Sequence, residues 1–222
     1  MQPFDTGGSR AWSVTWTYPL AAMVTASTDR WDAGVALVNS SPARISVPGV
    51  TASPRATPVV EAGAGVTPTV GLRLGVSFAR GAYLTSDELS ATAPPGDRTM
   101  TLVVFEGEYA VRYTKIAGEV IHDAFTNPVG DVGATLWFVQ ATQAITPRWF
   151  VAGRHEGTAS GVISRNAAFV AQPRLMANEL ATGFRVTRDV TLKASYYARQ
   201  PYGRTDWDHQ WAAQSIWDHR WW

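Results

Sequence analysis

Hydrophobic and polar residues alternate along most of this chain with a period of two. That is the spacing of a strand whose successive side chains point to opposite faces. Between Val190 and Gln200, Val190, Leu192, Ala194, Tyr196 and Ala198 share one face, and Thr191, Lys193, Ser195, Tyr197 and Arg199 the other. From Thr69 to Arg80, Val70, Leu72, Leu74, Val76 and Phe78 alternate with Gly71, Arg73, Gly75, Ser77 and Ala79. Further on, Val103, Phe105, Tyr109 and Val111 oppose Glu106, Glu108 and Arg112, and Ile116, Val120 and His122 oppose Lys115, Glu119 and Asp123. Leu180, Thr182, Phe184 and Val186 oppose Glu179, Gly183 and Arg185, and Trp12, Val14, Trp16 and Tyr18 oppose Ser13, Thr15 and Thr17. Helical spacing is almost absent. The pattern predicts about twelve strands, at roughly 10–18, 20–27, 31–40, 57–66, 69–80, 99–112, 115–125, 131–145, 148–158, 175–186, 190–200 and 207–221.

The connections are patterned too. Short turns at Thr28–Arg30, Thr67-Pro68, Tyr113-Thr114, Thr146-Pro147 and Arg188-Asp189 take turns with longer connections at about 41–56, 81–98, 126–130, 159–173 and 200–206. An up-and-down meander gives this directly, with tight turns at one end and loops at the other. Two packings suit such one-faced strands. A sandwich buries the apolar faces, whereas a transmembrane barrel turns them to lipid around a wet lumen.

Three features favour the barrel. Strands of about 11–15 residues exceed the ~5–6 usual in soluble sheets and suit a tilted crossing of a bilayer, for which ~9–11 suffice. The polar faces mix charges with the small residues Gly71, Gly75 and Gly183, and charges are costly in a dry core but cheap in a watery one. Aromatic residues gather near predicted strand ends, as at Trp12, Trp16, Tyr18, Trp31, Tyr83, Tyr113, Trp149, Tyr196, Tyr202, Trp207 and Trp221, the girdle expected at lipid interfaces. The fold class expected is therefore all-β, an antiparallel up-and-down transmembrane β-barrel of about 12 strands in a single domain over 1–222.

Composition narrows the function classes. The chain has 222 residues, 17% charged and 11% aromatic, which excludes a disordered polymer. A net charge of +1 leaves no electrostatic footprint for nucleic acid. The absence of Cys excludes disulfides, thiolate metal sites and a Cys nucleophile. No run of ~18 apolar residues predicts a membrane helix. Residues 1–8 show neither a basic segment nor an apolar one, so the expectation is either a cytosolic chain or a leader lying outside this sequence.

Candidate chemistry sits on the polar faces. Parity places Glu61, Arg73, Glu106, Glu108, Arg112, Lys115, Glu119, Asp123, Arg154, Glu156, Glu179, Arg185, Lys193 and Arg199 toward the lumen. Such a set either lines a pore whose transverse field selects polar solutes or forms a cross-strand ion-pair ladder that rigidifies the interior. Its near balance of acid and base argues against a phosphate-specific site. The near-repeat WDHQW and WDHRW places His209 and His219 about 33 Å apart on one strand face, too far to share a metal. It reads instead as two interface belts on one crossing strand. Asp208 and His209 point apart, as do His155 and Glu156. No G-x-S-x-G and no converging nucleophile, base and orienter predict an enzyme. Gly63-Ala-Gly65 reads as small residues inside a strand rather than a phosphate loop, and the Asp87–Asp97 segment as a solvated loop without Ca²⁺ spacing. No cofactor and no metal are expected.

Beside these readings stands a resemblance. The terminal hairpin Leu180–Trp222, with its aromatic end, resembles the closing strands of Gram-negative outer-membrane barrels. The segments Glu106–Arg112, Ile116–His122 and Ile145–Arg154 resemble the C-terminal part of porin-like barrels of the phosphate-selective type, where an inward Glu strand, a Thr-Pro-Arg turn and an aromatic-Ala-Arg strand follow in this order. The likeness covers most of 99–222 and, weakly, 57–98, and implies a C-terminal part of a longer porin. Its final aromatics depart from the family's pattern: Trp222 steps back to Arg220 and Asp218, and Trp221 to His219 and Trp217. The resemblance implies residence in the bacterial outer membrane, passive diffusion of small polar solutes or ions, and contact with outer-membrane lipid and the barrel-assembly machinery. Assembly into a homo-oligomer also follows from it. Two alternatives stay open: a non-conducting structural or binding barrel in the outer membrane, and a soluble antiparallel barrel or sandwich that holds a ligand.

Overall fold

The structure, a computed structural model, describes residues 21–39, 58–84, 96–126, 131–160, 162–165, 168–171, 175–200 and 204–217. The strands are β1 (Ala21–Ser27), β2 (Trp31–Val38), β3 (Val59–Thr69), β4 (Leu72–Leu84), β5 (Arg98–Val111), β6 (Thr114–Phe125), β7 (Val132–Ala144), β8 (Trp149–Ser160), β9 (Val162–Arg165), β10 (Ala168–Ala171), β11 (Leu175–Arg185), β12 (Val190–Gln200) and β13 (Asp208–Trp217). Eleven of them form one antiparallel meander in the order β1-β2-β3-β4-β5-β6-β7-β8-β11-β12-β13. The sheet is open, with β1 and β13 at its edges among the described residues.

Several expectations are corrected. The expected strand 10–18 and the tail beyond Trp217 lie outside the described residues, as do the 41–56 loop and the Asp87–Glu88 acids. The 159–173 connection, expected as a loop, contains a short hairpin, β9 against β10, in which the apolar pairs Val162-Ile163 and Phe169-Val170 lie on opposite strands. The turn expected at Thr67-Pro68 falls at Val70-Gly71. Pro68 has no N–H for the ladder, and the register shifts between Val66 and Thr69 around it. The chain reverses where Gly71 takes a φ of +87°, a conformation other residues rarely adopt. The turn expected at Tyr113-Thr114 sits one residue earlier, with Arg112 at φ 53°.

Three of the five short turns are built alike. The backbone N–H groups of Arg30 and Trp31 donate to Thr28 Oγ1, each at 3.2 Å. Those of Arg148 and Trp149 donate to Thr146 Oγ1 at 3.3 and 3.0 Å, and those of Asp189 and Val190 to Thr187 Oγ1 at 3.2 and 3.1 Å. A threonine hydroxyl thus accepts the donors that a tight reversal leaves over. Each staple also fixes the turn length, and turn length fixes the register of the two strands it joins.

The two faces are sharply different, and their exposure is inverted relative to a soluble sheet. Phe105 is 59% exposed, Leu180 65% and Leu192 48%, whereas Val59 and Ala177 on the opposite, charge-bearing face are 0% exposed. Leu74, Phe78 and Phe184 are likewise exposed rather than gathered in a dry centre. The only buried apolar clusters among the described residues are small. One joins Val38, Val59 and Ala79, and the other Tyr83, Met100 and Phe125. Both lie on the charged face near the long-loop end. Tyr83, expected in the aromatic girdle, is a correction: β4 continues past Arg80 to Leu84, and its odd positions carry Tyr83 inward with Arg73 and Ala79, where its ring meets Phe125 edge-on at 5.2 Å and its OH donates to Thr126 O.

Thr146→Ala is expected to lower the unfolding free energy by about 0.5–1.5 kcal/mol, the net worth of such hydrogen bonds. Urea unfolding from lipid vesicles, followed by tryptophan fluorescence, checks this. Thr146→Ser keeps the acceptor and should stay near wild type.

Candidate functional site

The charged face is the candidate site, and its first half is centred on Arg73. This guanidinium leaves β4 and crosses β3 to reach β2. Its Nη2 donates to Asp32 Oδ1 at 2.9 Å, and its Nη1 donates to Glu106 on β5. Glycine makes the crossing possible. Gly65 and Gly75 are direct cross-strand partners beneath it. A Cβ on Gly65 would lie 2.6 Å from Arg73 Nη2, and one on Gly75 2.5 Å from Glu106 Oε1. A concavity of about 260 Å³ lies over Asp32, Arg73 and Glu106. Next to it Lys115 pairs with Glu108 at 2.7 Å. Glu106 stands directly opposite Glu119, a like-charge pair that costs stability, with Arg73 holding Glu106 from the other side. Asp123 Oδ1 is enclosed and meets no hydrogen-bond donor among the described residues.

The second half is built from β8, β11 and β12. Arg154 pairs with Glu156 at 2.7 Å and lies 4.3 Å over the ring of Phe138. Tyr197 OH donates to Glu156 Oε1 at 3.2 Å. Glu179 sits between Arg154 and Tyr197 in the strand register, and Lys193 is opposite Gly183. Gly183 again leaves space, here for the ring of Phe150. A concavity of about 410 Å³ is lined by Gln140, Arg154, Glu179, Lys193 and Gln214. At the loop end Arg199 approaches Asp208 at 3.8 Å, and Arg204 pairs with both Asp206 and Asp208. The neighbouring Arg204 holds the Asp206 carboxyl below the usual carboxylate range.

Of the fourteen residues read from the sequence, twelve lie well within the strands on this face: Glu61, Arg73, Glu106, Glu108, Lys115, Glu119, Asp123, Arg154, Glu156, Glu179, Lys193 and Arg199. Arg185 ends β11 at the rim, where its Nη1 reaches Pro147 O. Arg112 leaves the row altogether and caps the β5–β6 turn, because the reversal comes at Arg112-Tyr113. Asp32, Arg98 and Asp208 were missed; Arg98 begins β5 on the parity of Glu106 and Glu108, one residue before the expected start of that strand. Asp32 alternates with Trp31, Ala33, Val35 and Leu37, so the same parity rule reaches it. Asp208 points to the charged face while His209 points away and bonds Tyr196 OH. The charge is unevenly spread. β2–β6 carry six carboxylates and three cations on this face, and β8–β13 carry three carboxylates and four cations. Among the described residues no group of three His, Asp or Glu could hold a metal ion.

The opposite face of the main sheet carries no carboxylate. Near the short turns it presents Trp31, Tyr109, Trp149, Phe184 and Trp217, each within two residues of its strand's end. In the half nearer the long loops it presents Trp137, Tyr196 and Trp211. Trp137 lies across Gly157, where a Cβ would come within 2.8 Å of the indole. Apolar side chains fill the band between. An oily face bounded by two aromatic rows, with all acids on the other side, is a surface made for hydrocarbon.

The fold is that of an outer-membrane β-barrel. Five solved chains match it. One is OmpTΔL8, a loop-L8 deletion mutant of the outer membrane protein OmpT of Vibrio cholerae, with a TM-score of 0.64 at 11% identity over 89% of this chain. Another is OmpT folded in vitro, with a TM-score of 0.59 at 12% identity over 81% of this chain. The chain spans 62% and 53% of the lengths of these two neighbours. No protein-family model matches, and no curated protein matches. The likeness supports a membrane barrel and does not reach the phosphate-selective type. In a barrel of this kind the charged face is the inward one and the long loops lie on the outer side.

Replacing Arg73 by Met leaves Asp32 and Glu106 unpaired. With these side chains about two-fifths exposed, the expected loss is only ~0.5–1 kcal/mol. Gly75→Val, which drives a branched side chain into Glu106, should cost more, ~1–3 kcal/mol. Vesicle unfolding curves that reversed this order would disprove the packing described.

Proposed function

We propose that the protein is a porin-like channel of the bacterial outer membrane through which small polar solutes or ions diffuse passively. One observation carries the reading: every carboxylate of the main-sheet strands lies on the inward face. Charges are tolerated there only if water reaches them. Opposed acidic and basic halves would give a lumen a transverse field that orders dipolar solutes and passes ions. The inward face has nine carboxylates and seven cations, which does not favour the phosphate-selective type, since that type needs a cationic excess.

A second reading, a non-conducting structural barrel, is favoured by the cross-links themselves. Arg73 ties β2, β4 and β5 together, and Glu156 ties Arg154 to Tyr197. Such bonds brace an interior whether or not it conducts.

Planar-bilayer recording on protein folded into detergent micelles separates the two. The channel reading expects discrete conductance steps. It also expects that Lys193→Glu shifts the reversal potential in a salt gradient toward cations, with a change in permeability ratio of about twofold. A barrel whose gel mobility changes on boiling but which never conducts would leave only the structural reading.

A further inference from the structure

We infer that the loop-side rim of the outward face binds anionic, phosphate-bearing lipid headgroups. The two ends of this face differ in kind. The short-turn end presents aromatic rings and no charged or imidazole group. The loop-side half carries the face's one arginine, Arg80, and the three described histidines, His122, His155 and His209. Among the described residues of this face no carboxylate offsets a positive charge.

The three imidazoles are held alike. His122 Nδ1 bonds Thr135 Oγ1 at 3.0 Å, His155 Nδ1 bonds Asn178 Oδ1 at 2.8 Å, and His209 Nδ1 bonds Tyr196 OH at 2.6 Å. In each case the partner is on the next strand of the sheet. Two of the rings are further fixed by aromatic contacts: Trp137 packs on His155 at 4.9 Å, and Tyr196 stacks on His209 at 5.8 Å. Tying Nδ1 sideways leaves each Nε2 without a partner among the described residues. Arg80 makes no ion pair among them either. Its stem sits beside Val60 and Thr101, with Phe78 two residues deeper on the same face.

In hydrocarbon such groups would be a cost without return. At the headgroup level, beside Trp137, Tyr196 and Trp211, Arg80 turns its donors and each imidazole its Nε2 outward from a surface with no competing acid among the described residues. Phosphates are the complementary partner, since arginine forks onto them and an imidazolium, which carries a proton on Nε2 as well as Nδ1, donates to them. A zwitterionic headgroup would bring its own cation against Arg80. The anion is bound as part of a lipid because the row lies on the membrane-facing side of the sheet, not in the lumen and not in a loop. This inference rests on the barrel fold and is independent of whether the lumen conducts.

Spin-labelled lipids test it. The folded protein is placed in phosphatidylcholine bilayers, and the immobilised fraction of spin-labelled phosphatidylglycerol is compared with that of spin-labelled phosphatidylcholine. The expected result is an enrichment of about threefold for the anionic lipid, weakened by added sodium chloride. The variant Arg80→Gln/His122→Gln/His155→Gln/His209→Gln should lose it, and retained heat-modifiable gel mobility would show that the variant is folded. If that variant does not fold, Arg80→Gln alone should reduce the enrichment measurably. Equal immobilisation of the two lipids would overturn the assignment. So would an enrichment untouched by the substitutions, or one displaced by inorganic phosphate beyond sodium chloride of equal ionic strength. The last outcome would mean that a free-phosphate site had been mistaken for a lipid one.

Discussion

The backbone is the part of this molecule that hydrocarbon tolerates least. With no water to bond them, the N–H and C=O groups of a membrane strand must be paired by neighbouring strands. The ladder from β1 to β13 does this across eleven strands, and once it is in place each side chain has only two directions available. Everything else in the structure is a consequence of that binary choice. In the described strands of the main sheet the carboxylates all take one direction, large apolar groups mostly take the other, and the exposure of the two faces is inverted relative to a soluble sheet. A residue that breaks the ladder is pushed to an edge of the pattern, as Pro68 is pushed into a bulge.

Because the side-chain period is two, a slip of one residue would carry a whole row of charges into lipid. The short turns are therefore where the charged face is decided. Thr146 fixes the β7–β8 hairpin, which sets Arg154 against Gln140 and His155 against Val139. Thr187 fixes the β11–β12 hairpin, which sets Glu179 against Tyr197. A hydroxyl at one end of the barrel thus determines which groups meet in its middle. Glycine acts at the next level. Gly65 and Gly75 vacate the space through which one guanidinium reaches two carboxylates on different strands.

Much of this was legible in the sequence because parity is a local property. Thr69–Arg80 displays its two faces without reference to any neighbour, and that sufficed to place Arg73 and Glu106 on a common side. Two kinds of information were not local. Turn positions depend on which residue can take a left-handed conformation, and Arg112 does so without being glycine, so it left the lumen row for a turn. Contacts depend on register, and no single strand reveals that Arg73 faces Glu106 across one gap and Asp32 across two. Tyr83 belongs to the legible part: it shares the odd parity of Arg73, Ser77 and Ala79, and only ending the strand at Arg80 sets it in the girdle.

Among the described residues the two edge strands of the main sheet run in the same direction. β1 runs toward the short turns, since Thr28 ends it, and β13 runs the same way, since it begins after the last long connection. Eleven strands in a meander leave the first and last parallel. Joining β13 directly to β1 would therefore insert one parallel pair into an otherwise antiparallel ladder. A second copy does not relieve this. Rotation about the membrane normal preserves every strand's direction, so any edge of a symmetry mate meets β1 or β13 in parallel. A two-fold axis lying in the membrane would reverse the direction but would put the partner's long loops on the wrong side. Continuing the antiparallel ladder around the barrel therefore requires an odd number of strands between β13 and β1, each satisfying the backbone groups that these two edges would otherwise present to lipid.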